Sequence, residues 1–360
     1  MTLPSDTARS WVDIDLGALV ANARTIAEAS GTRLLPMVKA NGYGLGAARV
    51  AGALEALDPW GYGVATVDEG VALRGAGIQR PILVVSPLSP ETLEPIEEHG
   101  FRPSIGDPEM LRCWLARSTG PFHLEIDSGM SRAGFRWDDE AALAAAREAL
   151  ATADRWEGIF THFHSADRDA ESASVQWRRF QAVVGGLPRR QVVVHAANSA
   201  ASFQREYAAD MVRPGIFLYG GEAGAHAPRP RTVAALRARV LAVRRVAAGE
   251  SVSYGAAWRA SRPTTVATLG VGYADGVHRD ADRRGAAPRM VELRGRQVPI
   301  VGRVTMDQTM VAVDDGEVAV GDVATMFGGF VSLDQQAAAT GTISYELLTS
   351  LGARVSRRYR

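Results

Sequence analysis

The sequence holds a single cysteine, Cys113, no excess of either charge (40 Lys and Arg against 40 Asp and Glu), and no apolar run long enough to cross a bilayer. One thiol cannot build an internal disulfide framework, balanced charge gives a phosphate backbone little to attract it, and a membrane helix has no segment to form from. The opening stretch MTLPSDTARSW carries no apolar core of the kind an export signal needs. A protein of the reducing cytoplasm, without nucleic-acid or membrane partners, is therefore expected. Repeats and low-complexity tracts are missing too, and no metal site is expected. What is present is ample: 46% hydrophobic residues in a chain of 360 can fill more than one core.

Eight short apolar, β-branched runs recur between Leu34 and Ile216: LLPMVK, GYGVAT, PILVVS, FRPSI, FHLEID, WEGIFTHF, QVVVHAAN and DMVRPGI. Intervals such as ARVAGALEAL, SPETLEPIEEH, GDPEMLRCWLA and DDEAALAAAREAL place apolar residues at helical spacing and often open with Ser, Asp or Pro. Eightfold alternation of strand and helix calls for parallel strands with helical crossovers, and predicts a closed (β/α)8 TIM barrel over residues 12–225. Past the Gly-, Ala- and Pro-rich segment GGEAGAHAPRPRT the texture changes to strands and turns, which predicts a β-rich C-terminal domain over 226–360 with no helix before about residue 334. The early segment SWVDIDL alternates apolar and polar residues, so residues 1–14 are expected to pair with that second domain.

Chemistry in a barrel of this kind gathers just beyond the strand ends. Lys39 ends the first run, Arg132 follows the fifth, His162 closes the sixth, Asn198 and Ser199 follow the seventh, and Arg213 and Gly215 close the eighth. Taken singly, each has a plainer reading: a solvated lysine, a satisfied histidine, a paired arginine. Together they converge on one mouth. The loops after the seventh and eighth strands, NSAAS and RPGI, are where barrels of this type form phosphate sites. A phosphate site and a lysine on one mouth suit pyridoxal 5′-phosphate (PLP), which needs an amine and an anchor. They equally suit a phosphosugar aldolase, and the residues alone leave both chemistries open.

The runs PMVKANGYGLG, DSGMSRAGF, FTHFHSAD, HAANSAA, MVRPGIFLYG, VSYGAAW, VGYADG and GRVTMDQTMV, in this order across nearly the whole chain, resemble the alanine racemase family. The resemblance implies a PLP enzyme interconverting L-alanine and D-alanine for peptidoglycan, working as a homodimer with shared active sites. It implies that Lys39 carries the cofactor and serves one face of the substrate. Tyr254, from the partner subunit, would serve the other, since a planar intermediate must exchange protons on both sides. A phenol is a poor base unless positive charge eases its ionisation, so cations beside it are expected. Tyr43, Asn198, Ser199, Gly215 and Ile216 match positions around the phosphate. Arg213 matches the residue facing the pyridine nitrogen, which it would bond without giving up its proton, and His162 the one beside the ring. Arg132 matches the residue by the substrate carboxylate, while Met306 and Asp307 match the partner-chain edge of the substrate site.

Three positions depart from the family pattern. Glu125 stands where many members carry a carbamylated lysine that steadies the arginine, Thr305 where many have cysteine, and Ala353 where some place a tyrosine on the phosphate. Two readings compete with alanine racemisation: a racemase of broader specificity acting on serine, lysine or arginine, and a non-catalytic PLP-binding homeostasis protein, against which the β domain carrying Tyr254 argues.

Overall fold

The computed structural model describes residues 7–188, 191–279, 289–313 and 318–360. After β1 (Ser10–Ile14) and α1 (Leu16–Ser30) the chain lays down β2 (Arg33–Leu34), α2 (Lys39–Tyr43), α3 (Ala47–Leu54), β3 (Tyr62–Val64) and α4 (Val67–Gly75). Next come β4 (Ile82–Pro87), α5 (Pro90–Glu98), β5 (Arg102–Ile105), α6 (Pro108–Arg117), β6 (Phe122–Asp127) and the short β7 (Phe135–Arg136) beside it. The series ends with α7 (Glu140–Ala151), β8 (Trp156–Thr161), α8 (Ala170–Gly186), β9 (Val193–His195) and β10 (Met211–Val212). Each of the eight anticipated runs carries one strand of the parallel order β2-β10-β9-β8-β6-β5-β4-β3. The ring closes where Met37 bridges Gly63: the Val38 N–H donates to Gly63 O at 2.9 Å, and the Gly63 N–H to Pro36 O at 3.0 Å.

The crossover helices start where acidic and hydroxyl side chains say they should. Asp107, Asp139 and Asp169 accept the N–H groups of Met110, Ala142 and Ser172 at 2.9, 3.0 and 3.0 Å, each cap worth about 1 kcal/mol. Strict alternation fails after β9 and β10. The segments there are short and wind only as 3-10 turns, at Ala201–Phe203, Arg205–Tyr207 and Ile216–Tyr219. Helix α1, which precedes the first barrel strand, packs over the first and last of these. Asn22 ties it down, donating to Leu218 O and Arg231 O at 3.4 and 2.9 Å.

The second domain comprises β11 (Ala234–Val246), β12 (Ser251–Val252), β13 (Trp258–Arg259), β14 (Thr264–Leu269), β15 (Met290–Leu293), β16 (Arg296–Pro299), β17 (Thr309–Val313) and β18 (Val323–Phe327). It closes with α9 (Leu333–Thr340), α10 (Ser344–Thr349) and β19 (Ser356–Tyr359). Long β11 organises it, pairing antiparallel with β1, β14 and β18, while β1 also pairs parallel with β19. The first and last described strands, β1 and β19, thus both belong to this domain, and residues 1–6 lie outside the described part. Among the described residues no helix is long and apolar enough to cross a membrane.

Candidate active site

The site begins with a backbone anomaly. Directly after Lys39, the residues Ala40, Asn41, Gly42 and Tyr43 have φ of 52, 53, 64 and 52°, so α2 is one turn of left-handed helix. Non-glycine residues resist that region by roughly 1–2 kcal/mol each. Local bonds hold them there: Ala40 N–H donates to Glu69 Oε1 at 2.5 Å, Ala47 N–H to Asn41 Oδ1 at 3.0 Å, and Gly46 N–H to Asn41 O at 2.8 Å. Glu69 also accepts from Ala65 N–H at 2.7 Å and completes the capping box of α4 with Thr66. Gly44 and Gly46, at φ of 81 and 95°, lie against the C-terminal domain; a Cβ would come within 2.2 Å of Leu348 O and 2.1 Å of Tyr359 Oη respectively. These glycines therefore dock the lysine's turn onto the C-terminal segment as well as letting the chain bend.

Lys39 opens into a cavity of about 810 Å³ at the barrel mouth, which Tyr43, Arg132, His162, Asn198, Ser199, Arg213 and Gly215 also line. The sequence-derived cluster does converge. Helices α9 and α10 and the turn between them wall the far side through Asp334, Tyr345 and Thr342 respectively, a contribution the sequence did not signal.

At one end lies an anion cradle. The Ser199 hydroxyl oxygen accepts from Gly215 N–H at 2.9 Å and Phe217 N–H at 3.4 Å, which leaves its own proton to donate. Gly215 admits Tyr43: a Cβ there would lie 2.3 Å from the phenol oxygen. The Tyr43 ring stacks on Tyr219 at 4.4 Å and faces Tyr345 at 5.9 Å. Burial pushes its phenol up, so it stays protonated and can donate. Asn198 is turned to a local task, its side-chain oxygen accepting the Ala201 N–H at 3.1 Å. The Ile216 side chain is buried beneath Gly221, outside the cavity lining. Ala353 is exposed and does not line the cavity, whereas Tyr345 does.

At the other end the charges press on each other. Burial, then the Arg132 charge, lower the Lys39 amine; the Glu69 carboxylate opposes them and Arg213 adds to them. Burial with Arg213, Arg132 and Lys39 nearby drives His162 down to about 3, so its imidazole is neutral. Arg213 is 4% exposed and is lowered by burial to about 10. Its Nη2 donates to Thr161 O at 2.6 Å and Ala196 O at 3.2 Å, and its Nη1 to His195 O at 3.0 Å and His195 Nδ1 at 2.8 Å. Glu125 lines the same cavity as Arg132 and accepts from Ser104 Oγ at 3.0 Å. Burial raises its carboxyl, against the pull of Ser104, Arg132 and Arg213. Asp127 shapes the Arg132 loop by accepting from Gly129 N–H and Ser131 N–H at 2.9 and 3.0 Å.

Three expected site residues lie elsewhere in the same chain. Tyr254 is 69% exposed and Met306 53%, both on the second domain. Asp307 pairs with Arg354 at 2.7 Å and Arg9 at 3.4 Å. Thr305 Oγ1 holds the adjoining turn, accepting from Gln308 N–H at 3.1 Å. Around Tyr254 the backbone is again forced: Ser253 and Ala256 take φ of 68 and 47°, and a Cβ on Gly255 would meet Arg303 Nη1 at 2.8 Å. Ser131, before Arg132, has φ of 56°. Left-handed non-glycine residues thus flank Lys39, Arg132 and Tyr254, and strain of this kind persists where a site requires it. Two groups were overlooked in the sequence: Glu69, although Thr66-x-x-Glu69 is a legible capping box, and the buried histidines behind Arg213.

Comparison with known proteins matches residues 14–223 to the family described as "Alanine racemase, N-terminal domain" and residues 233–359 to "Alanine racemase, C-terminal domain". An alanine racemase of Deinococcus radiodurans is 40% identical over 358 residues, covering 97% of this chain and 99% of that protein. One from Carboxydothermus hydrogenoformans is 38% identical over 370 residues, with the same two coverages, 97% and 99%. Among solved structures, alanine racemase from Bartonella henselae with covalently bound pyridoxal phosphate superposes with a TM-score of 0.89 at 30% identity, covering 98% of this chain and all of that one. The alanine racemase of E. faecalis gives a TM-score of 0.89 at 31% identity, with both chains fully covered.

Proposed function

This chain belongs to the alanine racemase family, and from that premise we propose that it interconverts L-alanine and D-alanine using PLP. The observation that carries the reading is Lys39: an amine lowered by burial and neighbouring charge, opening into the same cavity as the Ser199, Gly215 and Tyr43 cradle.

The residues fit that cofactor. Gly215 leaves the space a Cβ would fill beside Tyr43, Ser199 keeps a proton to donate, and burial with the Arg132 charge makes the Lys39 amine easier to deprotonate than a free lysine. PLP held there would supply the electron sink that weakens the Cα–H bond of the substrate. Lys39 then takes or returns that proton on one face. Arg213 would hold the ring nitrogen as a hydrogen-bond donor that keeps its own proton. Arg132 orients the substrate carboxylate, with Glu125 as the native carboxylate in the carbamate's place. His162, neutral, would pack beside the ring. Asn198 shapes the turn that carries Ser199, and Ile216 adds backbone to the cradle.

Tyr254, Met306 and Asp307 complete the site from a second copy of the chain, which makes the working unit a homodimer with two shared sites. Exposure of Tyr254 and Met306, and the forced backbone that presents Tyr254, support this. Tyr254 then serves the face opposite Lys39. We place the reaction in the cytoplasm, in keeping with one cysteine in the chain, where D-alanine enters peptidoglycan precursors.

The test is turnover in deuterated water. With PLP added, D-alanine and L-alanine should each yield the other enantiomer, with solvent deuterium at Cα in both directions. A yellow protein without turnover would favour a PLP carrier. Equal rates across a panel of serine, lysine and arginine would favour the broad racemase.

A further inference from the structure

Behind Arg213 a string of polar side chains runs down through the barrel. His195, at the end of β9, accepts from Arg213 at Nδ1 (2.8 Å) and meets His123 Nδ1 through its Nε2 at 2.8 Å. His123 Nε2 reaches Glu157 Oε2 at 3.3 Å, and Glu157 is gripped by Arg102 at 3.0 and 3.2 Å. Both imidazoles are 0% exposed. Their surroundings are otherwise apolar, with Leu35, Leu83 and Met211 clustered beside Trp60, whose ring lies 5.4 Å from that of His123.

Every proton in this string is assigned by its neighbour. Arginine donates only, so His195 Nδ1 is an acceptor and its proton sits on Nε2. That proton points at His123 Nδ1, so the His123 proton must sit on Nε2, directed at a carboxylate that accepts only. Burial lowers both imidazoles, His195 well below the usual histidine range, so both are neutral. Burial pushes the Glu157 carboxyl up, but hydrogen bonds from His123 and Arg102 outweigh it and hold it down to about 2. A negative charge at the rim is thus connected to the guanidinium at the mouth through two polarised rings with one possible orientation.

Stability gives little reason for such a string. Barrels of this type fill their interiors with branched apolar residues, and buried polar groups at best break even against them. The sequence also makes room for it: a Cβ on Gly158 would lie 2.4 Å from His123 Nδ1.

We propose that His195, His123 and Glu157 are positioning residues that lock the Arg213 guanidinium, in place and charged, as the hydrogen-bond donor to the ring nitrogen of PLP. This rests on the placement of Arg213 at that nitrogen. Each ring makes its neighbour a better acceptor, and the carboxylate at the end anchors the polarity of the whole string.

The test compares dissociation constants, on cofactor-depleted protein, for PLP and for its carbocyclic analogue in which the ring nitrogen is replaced by C–H. Native protein should prefer PLP by about tenfold or more, the scale of a charge-assisted hydrogen bond. Glu157→Gln and His123→Leu should each lose most of that preference while binding the analogue normally, and the double variant should lose no more than either. Glu157→Gln changes one atom at the half-exposed rim, so it tests the string even if His123→Leu folds poorly. In ¹⁵N spectra both imidazoles should be neutral Nε2–H tautomers. Variants that keep the native preference and lose only thermal stability would overturn the proposal, as would an Nδ1–H tautomer at His195. Equal affinity of native protein for the two compounds would instead refute the placement of Arg213, and the string's role with it.

Discussion

The Glu69 carboxylate receives the N–H of Ala40, the residue directly after Lys39, at 2.5 Å. It joins the start of α4 to the left-handed turn that aims the lysine. Glu69→Ala should therefore lower turnover by about tenfold and stability by about 1 kcal/mol, the scale of a lost cap and one charge-assisted bond. Glu69→Gln, which keeps one acceptor, should fall between. Steady-state rates and thermal melts decide it, and native turnover in the alanine variant would sink the idea.

Glu125 makes stability depend on pH. Its carboxyl is raised in the folded state by burial, so folding favours the protonated form. Stability from this group is full below the unfolded glutamate value of about 4.3 and declines as pH rises through the folded value. Glu125→Gln should melt close to native protein near pH 4 and above it at pH 7. Activity should drop all the same, because Arg132 loses the Glu125 charge. A pH series of melts checks the first statement, and KM for alanine the second. Unchanged KM would remove Glu125 from the substrate site.

Gly215→Ala tests the anion cradle. The added methyl would sit 2.3 Å from Tyr43 Oη and displace the phenol. Affinity for PLP should fall about tenfold, on the scale of one lost hydrogen bond to a charged group, while affinity for pyridoxal without its phosphate should hardly move. An equal loss for both would point to general distortion.

How far the sequence could be read follows from the range of each signal. The eight barrel runs were legible because hydrophobic period and turn residues are local, and Lys39, Ser199 and Arg213 because strand ends share one face. The 3-10 turns after β9 and β10 were not, since only tertiary packing shows that α1 fills the helix position there. His123 and His195 looked like ordinary strand residues; their meaning lies in inward alternation across two strands that are neighbours of β8. The walls that α9 and α10 give the cavity, and the docking of Gly44 and Gly46 onto Leu348 and Tyr359, depend on contacts between residues some three hundred positions apart.

The proposed active site joins Lys39 of one chain to Tyr254 of another. Lys39→Ala and Tyr254→Phe should each be nearly inactive alone. Co-expressed, they should regain about a quarter of native activity, since half of randomly formed dimers are mixed and each mixed dimer holds one intact site. A mixture no more active than its two parents, with mixed dimers shown to form, would contradict the account.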